Sequence, residues 1–154
     1  MMYDDERSHT RGVVTAIIAG ILFATGWWLY IDGTSYGIRQ EHDEVTSKAA
    51  GYTWLPPLGV TISLIMINGM EWKELRAEGY GADRATANRA RLFLIGALMV
   101  AFGSIAGSVY IMTSVFLDNA DAYAWGGASC FAACIFLFAA TWVLRAGTAV
   151  SDEL

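Results

Sequence analysis

Cys130 and Cys134 stand one helical turn apart and are the nearest thing in this sequence to a reactive pair. Two thiols leave a four-ligand zinc site half built. On one helix their side chains point the same way, which is poor geometry for a disulfide. Their neighbours are small and apolar, so packing is the expected role. His9 and His42 fall in separate polar segments that the topology below puts on opposite faces of a membrane. No HExxH, phosphate-binding glycine loop or Gly-x-Ser-x-Gly elbow occurs. The residues therefore predict a protein that is not an enzyme and needs no cofactor or metal.

The elements that must position these residues explain the lack of chemistry. Only 16% of the residues are charged, against about 25% in soluble domains. All of the charge lies outside four apolar blocks at 13–31, 52–70, 92–117 and 122–144, each 19 residues or longer. A helix needs about 20 such residues to cross a hydrocarbon core of roughly 30 Å. Lipid cannot hydrogen-bond the backbone, so each block should be helical. The alternating polarity of a membrane strand is absent. The first block is too long for a signal-peptide core and follows the acidic Asp4-Asp5-Glu6, so it reads as a span.

The predicted fold is an all-α integral membrane four-helix bundle. It forms one membrane domain over residues 1–154, with spans at about 13–31, 52–72, 92–117 and 122–144 and a cytosolic loop at 73–91. Eight Lys and Arg residues, Arg145 of the C-terminal tail among them, fall in the two tails and the middle loop, against two in the other loops. Positive residues favour the cytosolic side, which predicts cytosolic N- and C-termini. The final Ser151-Asp152-Glu153-Leu154 resembles a luminal retrieval signal, but a cytosolic tail would not present it. The net charge of −5 divides between two membrane faces, and no basic tract points to nucleic acid.

Aromatic residues mark the expected interfaces: Trp27, Trp28 and Tyr30, then Tyr52, Trp54 and Trp72, then Tyr123, Trp125 and Trp142. Pro56 and Pro57 suit a first helical turn, so the second helix should begin near Leu55 and continue past Met70. Asp83 is placed to cap a helix running through Arg84, Arg89 and Arg91 into span three. Those arginines can reach lipid headgroups. Asn68 is the most polar residue within a span and is expected to hydrogen-bond across helices. Span interiors without charge argue against a pump, channel or coupled transporter.

Small residues at four-residue spacing let helices approach closely. Span three carries Gly103 and Gly107, with Gly96 seven residues earlier on a similar face. Span one carries Ala16, Gly20 and Ala24, and span four Gly126, Cys130 and Cys134. These faces serve packing within the bundle or contact with a partner helix.

Several segments resemble the transmembrane protein 50 family, whose fungal relative is vacuolar protein sorting protein 68. Gly20-Ile-Leu-Phe-Ala-Thr-Gly26-Trp27-Trp28, followed by Ile31-Asp32, looks like its first span. Trp54-Leu-Pro56 is similar to the start of span two in the fungal branch. Met66-Ile67-Asn68, followed by Glu71, resembles the end of that span. Arg91-x-Phe93 through Ala101-Phe102-Gly103-Ser104 looks like span three. The resemblance covers roughly residues 12 to 117 and is weakest in span four. The N-terminal tail departs from the animal members, which carry cysteines there. The resemblance implies a four-span protein of endosomal, Golgi or endoplasmic reticulum membranes, with no catalytic activity. It also implies a role in protein sorting through partner membrane proteins, as in the fungal relative's pairing with another small four-span protein. The rival reading is an accessory subunit of a larger membrane complex, for example in the mitochondrial inner membrane.

Overall fold

In a computed structural model, four helices account for nearly all of the described residues, which are 2–39, 48–49, 51–70, 84–118 and 124–151. They are α1 (Met2–Arg39), α2 (Leu55–Asn68), α3 (Arg84–Tyr110) and α4 (Ala124–Ser151). No strand occurs among the described residues. Three helices hold stretches long and apolar enough to cross a membrane: Thr10–Tyr36, Thr86–Leu117 and Ala124–Gly147. Helix α1 has 38 residues and so extends about 57 Å at a helical rise of about 1.5 Å per residue. That is well beyond a hydrocarbon core.

Helix α2 begins at Leu55, with the prolines in its first turn as expected. It does not run past Met70. It ends at Asn68 after 14 residues, about 21 Å of helix. Gly69 has φ −80° and ψ −4°, away from the helical ψ of about −42°. Its N–H still reaches the Ile65 carbonyl at 2.9 Å, which closes the last turn. Glu71, Trp72 and the part of the expected loop at 73–83, with the Asp83 cap, lie outside the described residues.

Helix α3 runs through Arg89 and Arg91 as expected, then widens into a π-helical segment at Ile111–Leu117. Residues five apart share a face where i→i+5 bonding replaces i→i+4. Ile111 and Phe116 are both buried here, and the Asp118 N–H closes the segment on the Thr113 carbonyl at 3.1 Å.

The neighbours define an antiparallel order. Thr15 of α1 meets Gly147 of α4, Gly26 meets Ala133 and Leu137, and Gly33 meets Ser129. Gly59 of α2 meets Ser104 of α3, and the Ser63 hydroxyl donates to the Ala97 carbonyl at 2.8 Å. The start of α1, the end of α2, the start of α3 and the end of α4 therefore share one end of the bundle. The α1–α2 and α3–α4 connections share the other.

Helix α4 occupies the centre and packs against all three of the others. Of its apolar stretch 44% is buried, against 11% in α1 and 17% in α3. Val60, Cys134 and Leu137 form a core with Phe23, Trp27, Ile105 and Phe138 around them. Arg145, expected in a tail, is instead buried within α4, because that helix continues to Ser151.

The α1–α4 contact is made by backbone approach. A Cβ at Gly26 would lie 3.1 Å from the Ala133 carbonyl oxygen and 3.1 Å from Leu137 Cγ. A Cβ at Gly33 would strike the Ser129 side chain, and one at Gly147 would strike Thr15. Gly20, by contrast, has nothing within 4 Å of such a Cβ. Overpacking a tight contact costs about 1–3 kcal/mol, whereas open surface positions tolerate change within about 0.5 kcal/mol. Gly26→Leu is thus expected to lower the thermal unfolding midpoint in detergent, and Gly20→Leu to leave it nearly unchanged. Equal midpoints for the two variants would refute the α1–α4 contact.

Candidate functional site

Many hydroxyls of the described helices bond to carbonyls of the same helix. The hydroxyls of Thr15, Thr61, Ser108, Thr113 and Thr141 each donate to a carbonyl three or four residues back in their own helix. Hydroxyls in membrane helices bond this way or to a neighbour, and Ser63 is the case that crosses to another helix. Cys130 and Cys134 are free and fully buried. The Cys130 thiol donates to the Thr53 carbonyl at 3.4 Å and so ties α4 to the start of α2. No group of three or more potential metal ligands occurs among the described residues.

Asn68 differs from its expected role. Its Nδ2 donates to the Leu64 carbonyl of its own helix at 3.0 Å, while its Oδ1 is buried without a hydrogen-bond partner. Lying at the last residue of α2, it reaches back along its own turn rather than across to a neighbour.

The aromatic girdle divides into two groups. Trp28 is 71% exposed, and Trp54, Trp125 and Trp142 also face outward. Trp27 and Tyr30 instead join the core and meet edge to face, with centroids 6.0 Å apart. Tyr30 Oη lies 3.3 Å from Thr53 Oγ1, within hydrogen-bond distance. Trp125 Nε1 donates to Asp32 Oδ2 at 3.3 Å, joining α1 to α4 at the end away from the termini. Two of the signature residues expected from resemblance, Trp27 and Asp32, thus hold helices together.

The small-residue positions divide as well. Gly126 is tightly packed: a Cβ there would sit 2.7 Å from the Phe116 ring, and one at Gly127 would sit 2.9 Å from it. At Gly20, Gly96 and Gly103 a Cβ would meet nothing within 4 Å. At Gly107 the nearest atom is Pro56 Cγ at 3.9 Å. The contact stripe of α1 is Ala19, Gly26 and Gly33, seven residues apart, and not Ala16, Gly20 and Ala24. A seven-residue repeat is the spacing that keeps one helix face on a neighbour. It was present in the sequence, and the shorter four-residue spacing obscured it.

Among the described residues, two open faces carry small side chains. One is the Ala16, Gly20, Ala24 stripe, all three exposed. The other is a groove of about 550 Å³ between α2 and α3, with Gly103, Ser104 and Gly107 along its floor. Ser104 lies against Gly59 and donates its hydroxyl to the Val100 carbonyl at 2.7 Å. Arg89 and Arg91 are exposed near the start of α3, at the end of the bundle shared by the termini.

Comparison with known proteins places the sequence in a family. The family described as Uncharacterised protein family (UPF0220) matches residues 2–154. This chain belongs to that family. UPF0220 is the transmembrane protein 50 family. A relative from Dictyostelium discoideum, Transmembrane protein 50 homolog, is 29% identical over 121 residues, covering 71% of this chain and 73% of its own length. No solved structure matches. Family membership and the long apolar helices together make this an integral membrane protein.

Phe116 and the glycine pair give this interior a direct check. Phe116 is buried against Ile111 and Ala49 as well as Gly126 and Gly127. Phe116→Ala should cost about 3–5 kcal/mol, the usual range for a buried phenylalanine. Gly103→Leu, facing open space, should stay within about 0.5 kcal/mol of the parent. Chemical denaturation in mixed micelles measures both. A Gly103→Leu loss as large as that of Phe116→Ala would mean the groove is closed.

Proposed function

We propose that the chain crosses the bilayer four times, with both termini and the 71–83 connection in the cytosol, and acts as a non-enzymatic protein-sorting factor. It works by associating with other transmembrane proteins in endosomal, Golgi or endoplasmic reticulum membranes. The observation that carries this reading is the open stripe of Ala16, Gly20 and Ala24. In lipid, helices gain little from the hydrophobic effect, so association relies on close van der Waals approach through small residues. A small-residue face left without a neighbour in the folded chain is a face available to a second protein.

The topology draws on two supports. The start of α1, the end of α2, the start of α3 and the end of α4 share one end of the bundle, and the segments in and next to them carry most of the Lys and Arg residues of the sequence. Helix α2 is short, but the apolar sequence flanking it begins at Tyr52 and reaches Met70. Thr53 and Met70 of its non-helical ends are buried against protein, where irregular backbone within a membrane is tolerated. Thr53, for example, accepts from Cys130 and is buried.

Purification of the tagged full chain in a gentle detergent, with mass spectrometry of what accompanies it, tests the role. A small membrane protein of the sorting machinery should co-purify, and Gly20→Leu should reduce its recovery about tenfold, equivalent to about 1.4 kcal/mol. Recovery of a respiratory or similar complex would replace sorting with the accessory-subunit reading. Topology is checked by protease digestion of sealed, cytosol-out vesicles. Cleavage of the C-terminal tail is expected, and protection would reverse the orientation.

A further inference from the structure

Trp28, Asp32 and Tyr36 follow one another at four-residue spacing along α1. Residues four apart on a helix are neighbours, with about 5–6 Å between their Cβ atoms. The three therefore stand in line on one flank of α1. All are exposed, Tyr36 at 48% and Trp28 at 71%, the highest value among the large apolar side chains described. A second helix adds to the group. Trp125, the second residue of α4, donates its indole N–H to Asp32 Oδ2 at 3.3 Å. Three aromatic side chains thus flank one exposed carboxylate. The packing contacts between α1 and α4 run along a different face, through Ala19, Gly26 and Gly33.

Rings and carboxylate share one preference. Aromatic faces attract a cation within about 6 Å of the ring centroid through their quadrupole, and the carboxylate attracts it through its charge. The depth of the group says which cation it meets. The first apolar block ends at Ile31, and Asp32 follows at once. Tryptophan and tyrosine concentrate at the level of the headgroups. An exposed flank at that level is bathed by lipid headgroups before any partner reaches it. Of the headgroup cations, a primary ammonium has three N–H donors to satisfy, which aromatic faces serve poorly. A trimethylammonium group has none and presents methyl groups to the rings, which is the basis of quaternary ammonium recognition.

We propose that Trp28, Asp32, Tyr36 and Trp125 form a site for the choline headgroup of a lipid, in the leaflet at the end of the bundle where α1 stops and α4 starts. The trimethylammonium group lies against the Asp32 carboxylate, between the Trp28 and Trp125 rings, and Tyr36 stands one turn further along α1. The site rests on the membrane placement proposed above, and neither on the sorting role nor on a protein partner.

The test places the full chain in nanodiscs holding equal amounts of phosphatidylcholine and phosphatidylethanolamine with matched acyl chains. Native mass spectrometry then counts the lipid that stays bound. Phosphatidylcholine should be retained about tenfold over phosphatidylethanolamine, the preference that two or three exposed cation–π contacts supply. Trp28→Leu, which keeps apolar bulk and removes the ring, should lower the ratio to about threefold. Asp32→Asn keeps an acceptor for the Trp125 N–H and removes the charge. It should lower bound phosphatidylcholine about fivefold, the equivalent of a charge pair about 4 Å apart in water, with the thermal unfolding midpoint unchanged. Trp142→Leu, at an exposed tryptophan near the other end of α4, should alter neither quantity. Equal retention of the two lipids by the parent chain, or retention unmoved in both Trp28→Leu and Asp32→Asn, overturns the proposal. Displacement of the bound lipid by an equal concentration of glycerophosphocholine would assign the site to a free headgroup and overturn the lipid. So would a co-purifying protein that is lost from Asp32→Asn while bound lipid is unchanged. Loss of a co-purifying protein in Gly20→Leu bears on the sorting role and leaves this result untouched.

Discussion

The close approach of α1 to α4 is the contact on which the rest of the structure depends. Inside a bilayer the lipid tails are as apolar as leucine, so burying large side chains does little to hold helices together. Distance has to do that work. Gly26, Gly33 and Gly147 bring two backbones near enough for carbonyls, hydroxyls and alkyl groups to touch. Those individual contacts are weak but numerous.

With α1 seated, α4 becomes the centre of the bundle. Its second face takes Val60 of α2 against Cys134 and Leu137, and its first turns take Phe116 against Gly126 and Gly127. In the π-helical turn at Ile111–Leu117 residues five apart share a face, and Ile111 and Phe116 are both buried. Helix α2 is short, and polar links secure its start: Tyr30 with Thr53, and Cys130 with the Thr53 carbonyl. The cysteines and hydroxyls that might have suggested chemistry are part of this internal accounting of hydrogen bonds.

What remains outward along the span interiors is largely apolar and, in two places, lined by small residues. The α1 stripe presents a long face of small residues suited to another helix. The α2–α3 groove is lined by Gly103 and Gly107.

Much of this was legible in the residues alone. Apolar block length determined that the chain is helical and belongs in a membrane, since lipid leaves the backbone no other partner. The proline pair determined where α2 starts, because proline lacks the N–H that later turns require. The motifs at Gly20–Trp28 and Arg91–Ser104 pointed to the family. Tertiary structure decided which small residues pack. Gly20 and Gly26 look alike in sequence, yet one faces open space and the other the Ala133 carbonyl, because the face a helix buries depends on the neighbour it meets. It also decided that α4, where the family resemblance is weakest, is the hub, and that Trp27 and Tyr30 leave the aromatic girdle for the core. Periodicity along one helix cannot report these outcomes, for they depend on the distance between two helices.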